Sequence, residues 1–307
     1  MVFQQFPDLQ WLKNQAETNF ANRQAWQGRT LSVEGWPTVV LNVKAQPTMR
    51  DNIRGPLSFF SNLSGASHVH TGSKRTKVNP GFFYVSNADQ HYSLEIDNSK
   101  AETLNIHFGD YWADQVFQAL STSPDKLLDE PVFSRPFHRV EMHNKLYEIS
   151  PALQHLLHEL QHSGDDRLRE EEKIFEVLKH LLFEENKLRS IESQLPVVKN
   201  STRKEIFKRL AEATDYIYSN PSKEIALDDL ASIACLSKFH FLRLFKTAFD
   251  KTPHQFINEV KVKQATNLLT STKLEVKEIS RNLGFKDSST FSRLYFRETG
   301  FYPSHIR

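Results

Sequence analysis

The chain has 307 residues, 39% hydrophobic and 25% charged, which is enough for two domains with separate cores and excludes a disordered or collagen-like polypeptide. Its net charge of +2 conceals an asymmetry: residues 201–307 hold 18 Lys+Arg against 12 Asp+Glu, and residues 1–200 hold 21 against 25. A basic C-terminal third suited to a polyanion therefore follows a mildly acidic remainder.

The N-terminal run MVFQQFPDLQWLKNQAETNF lacks the basic start, apolar run and small-residue cleavage site of a secretory leader. No stretch approaches the roughly 18 apolar residues of a membrane span. The single cysteine, Cys235, excludes an internal disulfide and a cysteine-built zinc cage. A cytoplasmic chain with no membrane partner is expected.

From Leu31 to Phe108, short apolar runs are cut by turn residues: LSVEGW, TVVLNV, LSFFSN, GFFYVSN, YSLEI and TLNIHF. These predict strands. Tyr92, Leu94 and Ile96 alternate with Ser93 and Glu95, the period of a strand with one buried face. An antiparallel sandwich or barrel follows, with turns at Asn79-Pro80-Gly81 and Ile96-Asp97-Asn98.

Beyond Asp110 the period lengthens to that of helices. Leu146, Ile149, Leu153, Leu156, Leu157 and Leu160 fit one helical face, and Ile174, Val177, Leu178, Leu181, Leu182 and Leu188 another. Such helices cover a sheet, and a subunit interface is an additional use for them. Ser190 to Arg203 loses the period and contains Pro196, which sets the expected division: 1–195, a linker over 196–204, and a helical domain over 205–307.

That last segment repeats itself. LDDLASIACLSKFHFLRLFKTAFDKTP, from Leu227, parallels VKEISRNLGFKDSSTFSRLYFRETGFYP, from Val276. Leu230 matches Ile279 at an offset of 49; Phe241, Arg243, Leu244 and Pro253 match Phe291, Arg293, Leu294 and Pro303 at 50. Each copy predicts a short helix, a tight turn and a second helix. In the first copy Asp228 and Asp229 favour a helix start and Ser237 stands at an N-cap. The helix after it should bury Phe241, Leu244, Phe245 and Ala248 and leave Phe239, Leu242, Arg243 and Lys246 on another face. In the second copy Phe291, Leu294 and Tyr295 pack, while Ser289, Ser292, Arg293 and Phe296 face away. Gly284 allows the turn and Gly300 the helix end. Exposed second helices of this kind enter the major groove.

Through these residues, and GFKDSSTFSRLYFRETGFYP with the terminal Arg307 above all, the segment resembles the AraC/XylS family of bacterial transcription regulators. The resemblance implies a seven-helix DNA-binding domain with two helix-turn-helix units joined by a long helix near Pro253 to Leu269. Carried over position by position, it places Phe239, Leu242 and Arg243, and Ser288, Ser289, Ser292 and Arg293, against bases. Lys238, Lys246, Lys286 and Arg297 are phosphate candidates, since flanking cations add affinity without sequence choice. Three positions depart from the family: Cys235 and Asp250 where glycine is usual, and Phe296 where a basic residue is common. None removes a base-facing side chain.

The strand region is similar to the cupin-type barrel carried by many members of this family, giving an α+β chain of two domains. The resemblance implies a small-molecule effector in the barrel, a homodimer, an activator and contact with RNA polymerase. His68-x-His70 matches the metal pair of catalytic cupins, but Lys74 and Arg75 stand where the acidic ligand belongs. No metal and no cofactor are expected, with His91 and His107, the possible third ligands, read instead as strand-face residues. A polar or anionic effector would suit His70 and Arg75. Trp36, Phe60, Phe82 and Tyr84 either line its cavity or form plain core. The alternative is a cupin-type metalloenzyme with an appended DNA-binding domain; with no nucleophile-base pair, glycine-rich phosphate loop or carboxylate constellation, a non-enzyme is expected.

Overall fold

The computed structural model describes residues 2–5, 14, 36–97, 100–109, 112–121, 139–162 and 166–306. Most of the strand expected over LSVEGW, Asn98 of one expected turn, and Arg307 lie outside them. The chain forms two compact units, Met1–Glu185 and Asn186–Arg307. Among the described residues no helix is long and apolar enough to cross a membrane.

The first unit contains β1 (Val2–Phe3), β2 (Val39–Ala45), β3 (Thr48–Arg54), β4 (Leu57–Ser64), β5 (Ser67–Thr71), β6 (Lys74–Val78), β7 (Phe82–Ser86), β8 (His91–Ile96), β9 (Ala101–Phe108) and β10 (Leu146–Glu148). One sheet runs β1-β2-β9-β4-β7-β10 and the other β3-β8-β5-β6. Strand pairing among the described residues closes neither sheet into a barrel. The expected runs from TVVLNV onward are β2, β4, β7, β8 and β9. The turn at Asn79-Pro80-Gly81 forms, with Phe82 N donating to Asn79 O at 3.2 Å and Gly81 at φ 86°.

Alternation assigns the faces. Phe60 lies opposite Tyr84 and Asn105, and Phe59 opposite Val85 and Ile106. Tyr84 faces the second sheet, because its hydroxyl meets Thr71 Oγ1 at 2.9 Å, and the Phe60 and Tyr92 rings lie 5.1 Å apart. Leu41 and Val43 of β2 join Ile96 of β8 in the same core. The opposite face carries Phe108, which stacks on Trp112 of helix α1 (Trp112–Ser121); Trp112 in turn meets Phe175 of α3 (Arg167–Ser193) edge-on. All six apolar residues read from the sequence in α3 are buried.

Leu146 and Ile149 correct one expectation. They precede the helix rather than form part of it: Leu146 pairs with Tyr84 in β10, and α2 begins at Pro151. Proline lacks the N–H that a first-turn position leaves unused, and Ser150 accepts the Leu153 N–H at 3.2 Å, so these two residues fix the start. α3 continues to Ser193 and the next helix starts at Asn200, so the irregular stretch is shorter than the period loss suggested.

The second unit is all helical beyond α3: α4 (Asn200–Ser219), α5 (Leu227–Ile233), α6 (Lys238–Phe249), α7 (Pro253–Ser271), α8 (Val276–Asn282), α9 (Ser288–Thr299) and a 3-10 turn at Pro303–His305. The chain is thus α+β in two parts. α7 opens with Thr252 and Gln255 in a reciprocal cap, and Pro253 takes the first helical position. Its residues Val262, Ala265 and Leu269 form one core with Ile279, Leu283, Phe291, Leu294 and Tyr295 of the second repeat.

Candidate nucleic-acid interface

The repeat is as regular in space as in sequence. α5 and α8 each have seven residues, and α6 and α9 each have twelve. Phe241, Leu244, Phe245 and Ala248 are buried on α6, as are Phe291, Leu294 and Tyr295 on α9. Burial of these aromatic and aliphatic faces, at about 1.5–3 kcal/mol for each large side chain, fixes which face remains for a partner.

On α6 that face carries Phe239, Leu242, Arg243 and Lys246; Phe239 is 86% exposed and Leu242 36%. On α9 it carries Ser289, Arg293 and Phe296, all exposed, with Ser288 and Ser292 half-buried. Arg243 and Arg293 occupy equivalent positions, and Arg293 Nε lies 3.4 Å from Ser289 O one turn back. Lys246 and Lys286 are exposed. The other two phosphate candidates hold local partners: Lys238 Nζ is 2.7 Å from Asp228 and Arg297 is 2.8 Å from Glu298. A phosphate must compete with these exposed carboxylates, which are weak competitors in water.

The termini of the two helices are built differently. Asp287 caps α9 through a 2.7 Å bond from Thr290 N, and that backbone donor holds its carboxyl below the usual range. Ser237 stands at the N-cap of α6 in extended conformation, but its hydroxyl makes no capping bond. At the C-terminal ends, Asp250 adopts φ 54° where Gly300 adopts 79°; at the turns, Cys235 adopts 49° where Gly284 adopts 74°. The non-glycine residues thus take the left-handed conformation of their counterparts.

The six effector candidates of the first unit do not converge. Phe60, Phe82 and Tyr84 are buried and share the face directed at the second sheet, while Trp36 is partly buried. His70 and Arg75 pair on the opposite face of the four-stranded sheet, because their neighbours Thr71 and Thr76 take the inner one. There, Arg75 bonds Glu95 at 3.0 Å and Asp97 at 2.9 Å, and His70 Nε2 lies 2.6 Å from Glu95. The Arg75 guanidinium, foremost, holds the Glu95 carboxyl down at about 2.

His68, Glu95 and Asp97 bring ligand atoms within 4.8 Å of one another. Arg75 Nη2 lies 3.3 Å from His68 Nδ1, so a guanidinium already balances the two carboxylates and a divalent cation would have to displace it. Burial, and then Arg75, lowers the His68 pKa. His91 bonds Asn52 at 2.7 Å, whereas His107 lies on the inner face of the other sheet.

Sequence reasoning passed over the polar residues of that inner face. Ser58 Oγ donates to Pro56 O at 2.8 Å, so its lone pair accepts from His107 Nδ1 at 2.8 Å and leaves Nε2 as an acceptor. Burial pushes the His107 imidazole down to about 4. Asn62 Oδ1 and Thr76 Oγ1 are buried without a hydrogen-bond partner. The signal was Ser58 and Asn62 on the same face of β4 as Phe60.

Residues 230–307 match the family model described as a helix-turn-helix domain. The HTH-type transcriptional regulator AlkR of Acinetobacter baylyi is 24% identical over 266 residues, covering 80% of this chain and 85% of that one. The chain is similar to AraC-type transcription regulators, and the family match lies in its helix-turn-helix segment. The MmsAB operon regulatory protein of Pseudomonas aeruginosa is 32% identical over 128 residues, 42% of this chain and 41% of that one, so this chain spans less than half the length of that relative. A solved AraC-type regulator from Chromobacterium violaceum matches at 26% identity over 32% of this chain and 88% of its own, with a TM-score of 0.31. The helix-turn-helix match and the relatives found are those of DNA-binding transcription regulators.

Proposed function

We propose that α6 and α9 are the two recognition helices of a sequence-specific regulator and enter successive major grooves. The observation that carries this is the duplicated helix with the same exposed arginine, Arg243 and Arg293, beside a buried aromatic core. Arginine bonds guanine bidentately, the serines Ser288, Ser289 and Ser292 suit bases or phosphates, and the apolar Phe239 and Leu242 suit the thymine methyl group. Lys238, Lys246, Lys286 and Arg297 supply phosphate contacts.

The division into a domain over 1–195, a linker over 196–204 and a DNA-binding domain over 205–307 belongs to the same reading. The first domain is cupin-like and takes a small effector in the space between its sheets. Phe60, Phe82 and Tyr84 supply an apolar lining there, and Asn62 Oδ1, an acceptor, and the Thr76 hydroxyl, a donor and acceptor, are buried groups that a polar group would satisfy. An effector there is therefore uncharged and carries a hydrogen-bond donor, rather than an anion held by His70 and Arg75. Its control of a homodimer that engages RNA polymerase as an activator completes the proposal.

Selection from a randomised duplex library by the full chain at fixed near-physiological salt tests the reading. It predicts a site of two half-sites about 10 base pairs apart, centre to centre. Retention of DNA without any enriched sequence would sink it.

A further inference from the structure

We infer that Lys261 sets the spacing at which the two recognition helices read DNA, by tying the joining helix α7 to the turn of the second unit while that turn rests on the loop leading into the first. The inference depends on the DNA-reading function proposed above.

Lys261 lies in the middle of α7 and is only 9% exposed. A lysine so enclosed needs a partner for its ammonium group. Its Nζ donates to Leu283 O at 2.9 Å and sits 5.0 Å from the centre of the Phe285 ring. Leu283 is the residue at which α8 ends, where helix carbonyls lack an internal donor and the dipole favours a cation. Burial lowers the Lys261 pKa, and the charge of Glu224, in the loop before α5, opposes that.

Between Leu283 and Phe285 stands Gly284, and a Cβ there would come within 2.0 Å of Ser222 O. Ser222 belongs to the same loop, between α4 and α5, which leads into the first helix-turn-helix unit. The turn of the second unit is therefore pressed against the loop that leads into the first, and is also held by the lysine of the joining helix. A further bond, Thr266 Oγ1 to Tyr295 OH at 2.8 Å, fixes α9 itself to α7. The two recognition helices are one rigid reading head. One extra base pair between half-sites turns the second by about 34° and moves it about 3.4 Å, a change that such a head cannot follow.

The test uses the bipartite site selected by the full chain, rebuilt as duplexes with one base pair removed, none changed, and one or two added between its halves. For the native chain each single-pair change is expected to weaken binding at least about tenfold. Lys261→Met should bind the original spacing within about threefold of the native chain and lose most of the penalty at the altered spacings, whereas Lys261→Arg, which keeps a donor, should restore it. A lysine that only stabilises the fold would lower the unfolding midpoint and leave the spacing profile unchanged, and that result overturns the inference. So does a native chain indifferent to spacing. If Lys261→Met does not fold, Glu224→Gln, which removes the charge that favours the Lys261 ammonium, should broaden the profile partially, and an unaltered profile counts against the proposal. Failure of the native chain to select any bipartite site refutes the DNA reading itself, an outcome distinct from a selected site whose spacing penalty survives Lys261→Met.

Discussion

Gly284→Ala and Gly300→Ala form a matched pair. Both positions have nearly the same left-handed backbone, φ 74° and 79°, so alanine meets a similar conformational penalty of about 1–2 kcal/mol at each, reduced by about 0.4–1 kcal/mol through the stiffer unfolded chain. Their surroundings differ. Nothing lies within 4 Å of a Cβ at Gly300, whereas at Gly284 the Ser222 carbonyl oxygen is 2.0 Å away and its carbon 2.9 Å. Forcing that backbone apart adds an overpacking cost of about 1–3 kcal/mol. Gly300→Ala is therefore expected to cost about 1 kcal/mol and Gly284→Ala about 2–4 kcal/mol. Urea unfolding of the full chain, followed by far-ultraviolet circular dichroism, reads both on one scale if the slope of the helical transition is unchanged. Equal destabilisation by the two substitutions would refute the claim that the second turn is wedged against the α4–α5 loop.

Cys235 takes φ 49° without glycine's freedom, so Cys235→Gly should stabilise the same transition by up to about 1 kcal/mol; a loss of stability would show that the thiol packs usefully. Phe239→Ala should change stability by less than about 0.5 kcal/mol yet weaken specific binding by about 1–3 kcal/mol, with preference for thymine lost at one position in a mutated-site series. Lys246→Ala and Lys286→Ala should weaken binding to all sequences alike, each lowering the slope of log affinity against log salt by about 1. His107 has an ordinary pKa of 6.5 and a folded value of about 4, so the unfolded chain takes up a proton that the folded chain refuses between those values. The first unit should keep its full stability above about pH 6.5 and lose it as pH falls toward about 4, and His107→Gln should flatten that slope in acid-unfolding curves.

The helical unit was largely legible because its information is local and duplicated. The offsets of 49 and 50 that align Leu230 with Ile279 and Phe241 with Phe291 are the offsets of the helices themselves, and the 3.6-residue period separates Phe241 and Leu244 from Arg243 without knowledge of the fold. The sheets were less so. β3, TMRDNIR, has no buried residue; β5 buries Ser67, His68, Val69 and Thr71, and β6 buries Thr76 and Val78, mostly polar residues, so none gives the apolar alternation that reveals a strand. Leu146 looked helical because apolar spacing cannot separate a short strand from the turn before a helix; the signal lay in Ser150-Pro151. His70 and Arg75 were grouped with Tyr84 for their chemistry, but a two-residue period puts His70 and Thr71 on opposite faces, and only the pairing of β5 with β6 reveals which of them faces inward. Lys261 carries no local signature, since the Leu283 carbonyl it bonds and the Glu224 charge that favours its ammonium lie on either side of it in sequence at long range.

The most direct test of the central claim compares the native chain with the Arg243→Ala/Arg293→Ala double variant, on the selected duplex and on a scrambled duplex of equal length and composition, at fixed salt. Both arginines are exposed, so folding should be unaffected. The account predicts a loss of about 2–6 kcal/mol on the selected duplex, at about 1–3 kcal/mol for each bidentate contact, with a much smaller loss on the scrambled one. Equal weakening on both duplexes would contradict it, because the arginines would then be serving as phosphate clamps and α6 and α9 would not be reading sequence.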